Sequence, residues 1–282
     1  MILIADSGST KTEWSICDKG QPIGQIVSAG TNPFFQTKEE IRQVFDTEVY
    51  PFLANQSIDA LYFYGAGCAF SEQKEMVQQA FAPFIKGTVS VESDLMGAAR
   101  SLCGTKPGIA CILGTGSNSC LYDGVLITQQ VSPLGFILGD EGSGAVLGKL
   151  LVGDCLKRQL PQELIDQFMT QYDLTPAILL DRVYKKPFPN RFLAGLSPFL
   201  LKHIDHPAIY NLVYNSFRQF FIRNVMQYTG FDKEPIHVTG SIGYYYRTVL
   251  RDAAQSLQLQ IGKVEQKPMP GLITYHTQYK AQ

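Results

Sequence analysis

Two stretches of this chain are variations on one plan. "MILIADSGSTKTEWSICDKGQPIGQ" opens the sequence, and "GIACILGTGSNSCLYDGVLITQQ" begins at Gly108. Each reads as an apolar strand, a turn of glycine and small hydroxyls, a second strand ending at an Asp-containing turn, and a third strand. The offset is roughly 105–108 residues, the scale of a duplicated domain and not of a solenoid repeat. Few architectures accommodate that pattern. It predicts two α/β domains of the same plan, each opening on a three-stranded meander and continuing with alternating helices and strands.

The coarse reading fills in the plan. Strands are expected at about 2–6, 12–17, 22–27, 60–64 and 88–91, with helices at about 37–54, 71–85 and 94–103. "CGTKPG" (Cys103 to Gly108) reads as a linker, which gives domains 1–107 and 108–282. The second carries a helical insertion at about 143–230, then the strand "PIHVTGSIG", a helix, and a short strand and tail. Glycine-rich turns follow the first strand of each half, so both are expected at a cleft between the domains, at strand carboxyl ends.

Composition narrows the partners. The chain has 282 residues, 45% of them hydrophobic and 17% charged, with a net charge of −1. A sizeable core is expected, and charge points to neither nucleic acid nor an anionic membrane. No apolar run approaches the ~18 residues of a membrane span, and "MILIAD" lacks the basic flank and length of a signal peptide. The six cysteines form no C-x-x-C pair, so reduced, buried thiols and a cytoplasmic location are expected, without a zinc site. "HIDH" (His203 to His206) lacks a third ligand and reads as a helix boundary at Pro207. The Tyr/Phe-rich segment 210–231 reads as core or as the face of a homodimer.

The turns carry the chemistry. In "DSGSTKT", glycine lets a ligand approach the backbone, small hydroxyls and turn N–H groups form an anion-binding concavity, and Lys11 adds a compact positive charge. Asp6, at the strand end, suits a hydrated Mg²⁺ better than a phosphate. A tight hairpin with surface polar residues explains the same stretch, and the P-loop pattern does not fit it. "LGTGSNS" (Leu113 to Ser119) is not a dinucleotide fingerprint, because Ser119 stands at the third glycine position and a strand follows. "VTGSIG" (Val238 to Gly243) leaves room for a flat group on its backbone, or is ordinary strand-to-helix chemistry. Asp94 reads as a helix N-cap and also as a carboxylate placed to accept a hydroxyl proton. "GDEGSG" (Gly139 to Gly144) offers two acids for sugar hydroxyls or for capping, and Asn32 offers a hydroxyl ligand or an Asx-turn.

Together these motifs resemble the actin/hexokinase/heat-shock chaperone ATPase superfamily: "DSGSTKT" as first phosphate turn, "LGTGSN" as second, "VTGSIG" as adenosine turn. Within it, "GTN", "SDLMGAAR", "GTGSN" and "GDEGSG" look like the N-acetylglucosamine kinase branch, grouped with BadF/BadG-type ATPases. The resemblance spans essentially the whole chain. It implies two duplicated ribonuclease H-like domains and ATP-dependent phosphorylation of an amino sugar at its 6-hydroxyl. By it Asp94 is the base, and Asn32, Asn118, Gly139 and Asp140 bind the sugar. Asp6 holds Mg²⁺ through water. Gly8, Ser9, Thr10, Lys11, Gly114, Thr115 and Gly116 surround the phosphates, with Gly240 and Ser241 at the nucleoside. Ser7 stands where the family often has glycine. Two rivals remain at this point: an ATPase activating a CoA-thioester dehydratase or reductase through a shared iron–sulfur cluster, and a non-catalytic sugar sensor.

Overall fold

A computed structural model of the chain describes residues 1–8, 10–53 and 56–279. The chain divides into two compact units. The first comprises Met1–Gly108, Tyr122–Thr128 and Lys267–Gln282; the second comprises Ile109–Leu121 and Gln129–Gln266.

The first unit opens with β1 (Ile2–Ser7), β2 (Lys11–Asp18) and β3 (Gln21–Ala29). Lys19 and Gly20 both take positive φ (47° and 83°), the twist a two-residue hairpin needs, so "DKGQ" turns the chain as its composition predicts. Then come α1 (Lys38–Val44), β4 (Ala60–Gly65), α2 (Ser71–Phe81), β5 (Thr88–Ser93) and α3 (Asp94–Cys103). The sheet order is β3-β2-β1-β4-β5, with β1 antiparallel to β2 and parallel to β4, and β4 parallel to β5. Trp14 anchors the core under this sheet, its ring 5.3 Å from Phe45 and 5.8 Å from Phe81, both edge-on.

The expected 37–54 helix is three windings: α1, a π turn at Phe45–Val49, and a 3₁₀ turn at Tyr50–Leu53. Pro51 cannot donate an interior helical hydrogen bond, and the winding tightens there. Pro83 likewise ends α2 four residues early, in a 3₁₀ turn at Ala82–Phe84.

The second unit contains β6 (Gly108–Leu113), β7 (Ser117–Tyr122) and β8 (Ile127–Gln129), followed by α4 (Gly135–Leu138) and α5 (Gly144–Leu156). The helical insertion continues as α6 (Gln162–Gln171), α7 (Pro176–Tyr184), α8 (Pro189–Ala194), α9 (Ser197–Lys202) and α10 (Pro207–Arg223). It ends in β9 (Ile236–Thr239), α11 (Ser241–Tyr245), α12 (Arg247–Gln255) and β10 (Ile261–Glu265). The sheet order is β10-β9-β6-β7-β8, with β9 parallel to both β6 and β10. Read outward from its first strand, that is the order of the first sheet. The duplication seen in the sequence is thus a duplication of topology. Phe217, Phe220 and Phe221 of α10 fill this unit's core. His203 and His206 bracket the break before α10; His206 Nδ1 accepts from the Ala208 N–H at 3.2 Å and caps that helix.

The tail departs from a single cut at 107/108. Its helix α13 (Met269–Thr274) packs on α3, β1 and β2 of the first unit. Ser101 Oγ on α3 donates to the Pro268 carbonyl at 2.8 Å. A Cβ on Gly271 would lie 2.3 Å from the Ser101 carbonyl oxygen, so only glycine permits this approach. Among the described residues, no helix is long and apolar enough to cross a membrane.

Candidate active site

The first unit brings three carboxylates to one end of β1. Asp6 is the penultimate residue of that strand, and its register partner on β2 is Glu13. Asp94 stands where β5 becomes α3. Ser93 is the actual N-cap, its Oγ accepting from Met96 N–H at 3.2 Å, so the capping role expected for Asp94 falls one residue earlier. Asp94 occupies the first helical position, and its Oδ1 accepts from Leu95 N–H at 2.8 Å, which fixes the carboxylate's orientation. α3 can lie this close to the sheet because residue 97 is glycine: a Cβ there would sit 2.9 Å from the Tyr64 side chain.

Burial dominates the electrostatics. It pushes Asp6 from 3.8 up to about 7, with the charges of Asp94 and Glu13 adding to the rise and Lys11 and Lys267 opposing it. Burial also raises Asp94, against the lowering effect of the helix N–H groups. Glu13 is held by Lys11 at 3.6 Å and by a close ion pair with Lys267.

The first turn itself is short. Gly8 N–H donates to the Lys11 carbonyl at 3.0 Å, and a Cβ on Gly8 would meet nothing nearer than that oxygen, 3.8 Å away. Thr10 and Lys11 are exposed on it; Ser9 lies outside the described residues. Beneath it, Ser7 Oγ bonds Thr12 Oγ1 at 2.7 Å, accepts from Thr31 N–H and reaches the Thr31 carbonyl, each at 3.1 Å. The serine that replaces glycine here is therefore a buried tie between β1, β2 and the loop leading to Asn32. Asn32 takes the Asx-turn option: its Oδ1 accepts from Phe34 N–H at 3.0 Å.

The second unit brings its two glycine turns together. A Cβ on Gly240 would lie 2.4 Å from the Leu113 carbonyl oxygen, and Gly240 has φ +113°. The "VTGSIG" turn thus sits on the end of β6, where "LGTG" begins. The carbonyls of Gly114 and Thr115 accept from the N–H groups of Gly144 and Ala145, opening α5, at 2.8 and 3.0 Å. A Cβ on Gly114 would meet nothing within 4 Å, so bare backbone faces open space there. Thr115 and Ser241 are exposed beside it. Thr239 Oγ1, just before Gly240, is buried with no hydrogen-bond partner among the described residues.

The acids of "GDEGSG" separate. Asp140 turns back on the second turn: its Oδ1 accepts from Ser117 N–H at 3.2 Å, and burial raises it to about 6. Glu141 is engaged structurally, 2.5 Å from Arg223 Nε and bonded to Asn224 Nδ2 at 3.3 Å. Gly139 tolerates no side chain, since a Cβ would meet the Pro133 carbonyl at 2.1 Å. Asn118 Oδ1 accepts from Ser119 N–H at 2.9 Å and from Gln130 Nε2 at 3.2 Å. The six cysteines are all buried and behave as small core hydrophobes; no thiolate set suited to a cluster converges among the described residues.

Sequence reasoning missed Glu13, Lys267, Gly97 and the Ser7–Thr12 pair. Glu13 and Thr12 were legible in principle, as the strand residues facing Asp6 and Ser7. Lys267 carries no local signal.

Two sheets of one strand order, with glycine turns after β1, β6 and β9, define a chain of the actin-like ATPase fold. No protein-family model matches the sequence, and no curated protein matches it. Solved structures do. The chain is 50% identical to a putative N-acetylglucosamine kinase from Porphyromonas gingivalis, over 98% of this chain and 99% of that one, with a TM-score of 0.94. A putative N-acetylglucosamine kinase from Chromobacterium violaceum matches at 16% identity, over 97% and 98% of the two chains, with a TM-score of 0.74. A ROK family glucokinase from Streptomyces griseus, solved with glucose and AMPPNP, matches at 14% identity over 97% of each, with a TM-score of 0.57. The last two share the fold; the first shares the sequence as well. The chain belongs to the N-acetylglucosamine kinase family of sugar kinases.

Proposed function

We propose that this sugar kinase transfers the terminal phosphoryl group of ATP to the 6-hydroxyl of an amino sugar, N-acetylglucosamine. The observation that carries the reading is Asp94, a carboxylate fixed at the start of α3 beside Asp6 and the first glycine turn. Family membership at 50% identity supports it.

Asp94 takes the proton from the sugar hydroxyl as the new bond to phosphorus forms. Burial raises this carboxyl, which makes its anion a stronger base than an exposed aspartate. Asn32, Asn118, Gly139 and Asp140 are the candidates for orienting the sugar. Gly8, Thr10, Lys11, Gly114, Thr115 and Gly116 are the candidates for the phosphates, with Gly240 and Ser241 at the nucleoside.

A magnesium ion fits the first unit's donor set. Burial raises Asp6 most, and the neighbouring charges of Asp94 and Glu13 add to it, an excess of negative charge that a divalent cation would offset. Asp6 would hold the ion through water, with phosphate oxygens completing its shell. When bound, the ion would neutralise phosphate charge; the protein's share is to aim lysine and backbone N–H groups at the same oxygens.

The test is a panel of N-acetylglucosamine, glucosamine, N-acetylmuramic acid and glucose with Mg-ATP. ADP release is read by a coupled assay and the phosphate position by NMR. The expected result is sugar-dependent release, fastest with N-acetylglucosamine, with phosphate on the 6-oxygen. ATP hydrolysis indifferent to every sugar would overturn the reading.

A further inference from the structure

Two lysines converge on one carboxylate at the first glycine turn. Lys11 Nζ lies 3.6 Å from Glu13 Oε1, and Lys267 Nζ pairs with that same oxygen. Lys11 belongs to the turn. Lys267 comes from a segment more than two hundred residues away in sequence, yet its backbone is pinned. The next residue, Pro268, gives its carbonyl to Ser101 Oγ at 2.8 Å, and α13 begins immediately after it, packed on α3, β1 and β2. α3 is the helix that starts at Asp94. The scaffold that places Asp94 therefore also places Lys267.

Glu13 does not need two cations for its own neutralisation. Its side chain is 15% exposed, whereas the side chains of Lys11 and Lys267 are 60% and 47% exposed. A carboxylate anchored on a central strand thus holds two solvent-facing ammonium groups beside bare turn backbone. Both ammonium groups act on this corner, since Lys11 and Lys267 each oppose the rise of Asp6.

From this geometry we infer that Lys267 is a second phosphate-binding cation of the first glycine turn, positioned by Glu13 and acting with Lys11 on the β- and γ-phosphates of a nucleoside triphosphate. The inference rests on the proposal that this turn receives the nucleotide's phosphates. As a compact ammonium on a flexible stem, Lys267 can keep its hold on Glu13 while donating to a phosphate oxygen.

The experiment is calorimetric titration of the full chain with ATP, ADP and AMP, for wild type, Lys267→Met and Lys267→Arg. Losing one charge-assisted hydrogen bond to phosphate should weaken ATP and ADP about tenfold and leave AMP within about twofold. Arginine should restore ATP to within about threefold, because it keeps the charge. Lys267→Gln, which still donates a hydrogen bond to Glu13 but carries no charge, gives the same readout should the methionine variant fold poorly. Wild-type affinity for ATP in the uncharged variants would overturn the inference, as would an equal loss for AMP, which marks a structural role. Failure of the wild-type chain to bind ATP at all would instead remove the nucleotide reading, and this inference with it.

Discussion

Replacing Asp6 by asparagine should make the protein more stable and less active. In the folded chain this carboxyl rises from its ordinary 3.8 to about 7, chiefly through burial and then through Asp94 and Glu13. The folded state therefore keeps a proton that the unfolded chain has already released between those two values. The stability tied to that proton is complete below about pH 4 and is lost as pH climbs through about 7. At 1.36 kcal/mol per pKa unit, the ionised group costs the fold about 4 kcal/mol at pH 8 as an upper bound, and about 2 once water screening at this half-buried site is allowed for. Asparagine has a similar shape and cannot ionise. The gap between Asp6→Asn and wild type should be near zero at pH 4, open steadily, and level off above pH 7. Trp14 is the chain's sole tryptophan, buried in the first unit's core one strand away, so its fluorescence follows the relevant unfolding. In urea, a gap of about 2 kcal/mol moves the midpoint by about 1 M for a slope of about 2 kcal/mol/M. Asparagine lacks the charge to hold a hydrated cation, so turnover should collapse in the same variant, a trade of activity for stability. A midpoint at pH 8 no higher than wild type, or a gap that ignores pH, would refute the reasoning.

Asp94→Asn keeps an oxygen for the Leu95 N–H, so its melting temperature should hold while kcat drops by about 10²–10⁴; near-normal turnover removes Asp94 as the base. Gly240→Ala forces a methyl to 2.4 Å from the Leu113 carbonyl at φ +113°, and should cost about 2 kcal/mol or more in chemical denaturation and weaken nucleotide binding. An alanine variant of wild-type stability would mean that β6 and the third turn are further apart than described. Ser7→Ala strands the Thr31 N–H and one partner of Thr12, and should lower stability by about 1–3 kcal/mol by Trp14 fluorescence; a neutral result would deny the buried tie its role.

The sequence made the sheets readable because hairpin chemistry and strand alternation are local. "DKGQ" could only turn one way, and "TEWSIC" places Trp14 and Ile16 two apart, as a strand with one apolar face must. β5 and α3 were equally plain, since a polar strand end ran straight into an apolar helical pattern. What stayed hidden depends on partners far along the chain. Pro51 marks where the winding tightens into the 3₁₀ turn at Tyr50–Leu53, but nothing nearby announces the π turn at Phe45–Val49 before it. Glu141 and Asp140 are adjacent and chemically alike; only Arg223 and Ser117, remote in sequence, send one into an ion pair and the other to the glycine turn. The closing segment looked like a tail because "PMPG" is rich in helix breakers. Its helix forms because Gly271 fits against Ser101, a contact no local window contains.

That last helix has a consequence for how the protein is made. Residues 109–121 and 129–266 leave the ribosome before residue 267, so the bulk of the second unit is free to fold first. The first sheet, although translated earliest, lacks the lid over β1, β2 and α3 until α13 emerges. Arg100, whose guanidinium lies 5.4 Å from the Tyr275 ring, must wait for the same moment. Vectorial synthesis thus delivers the earlier-translated half in its mature form last, and a nascent chain stalled before residue 267 should expose the apolar underside of that half to chaperones.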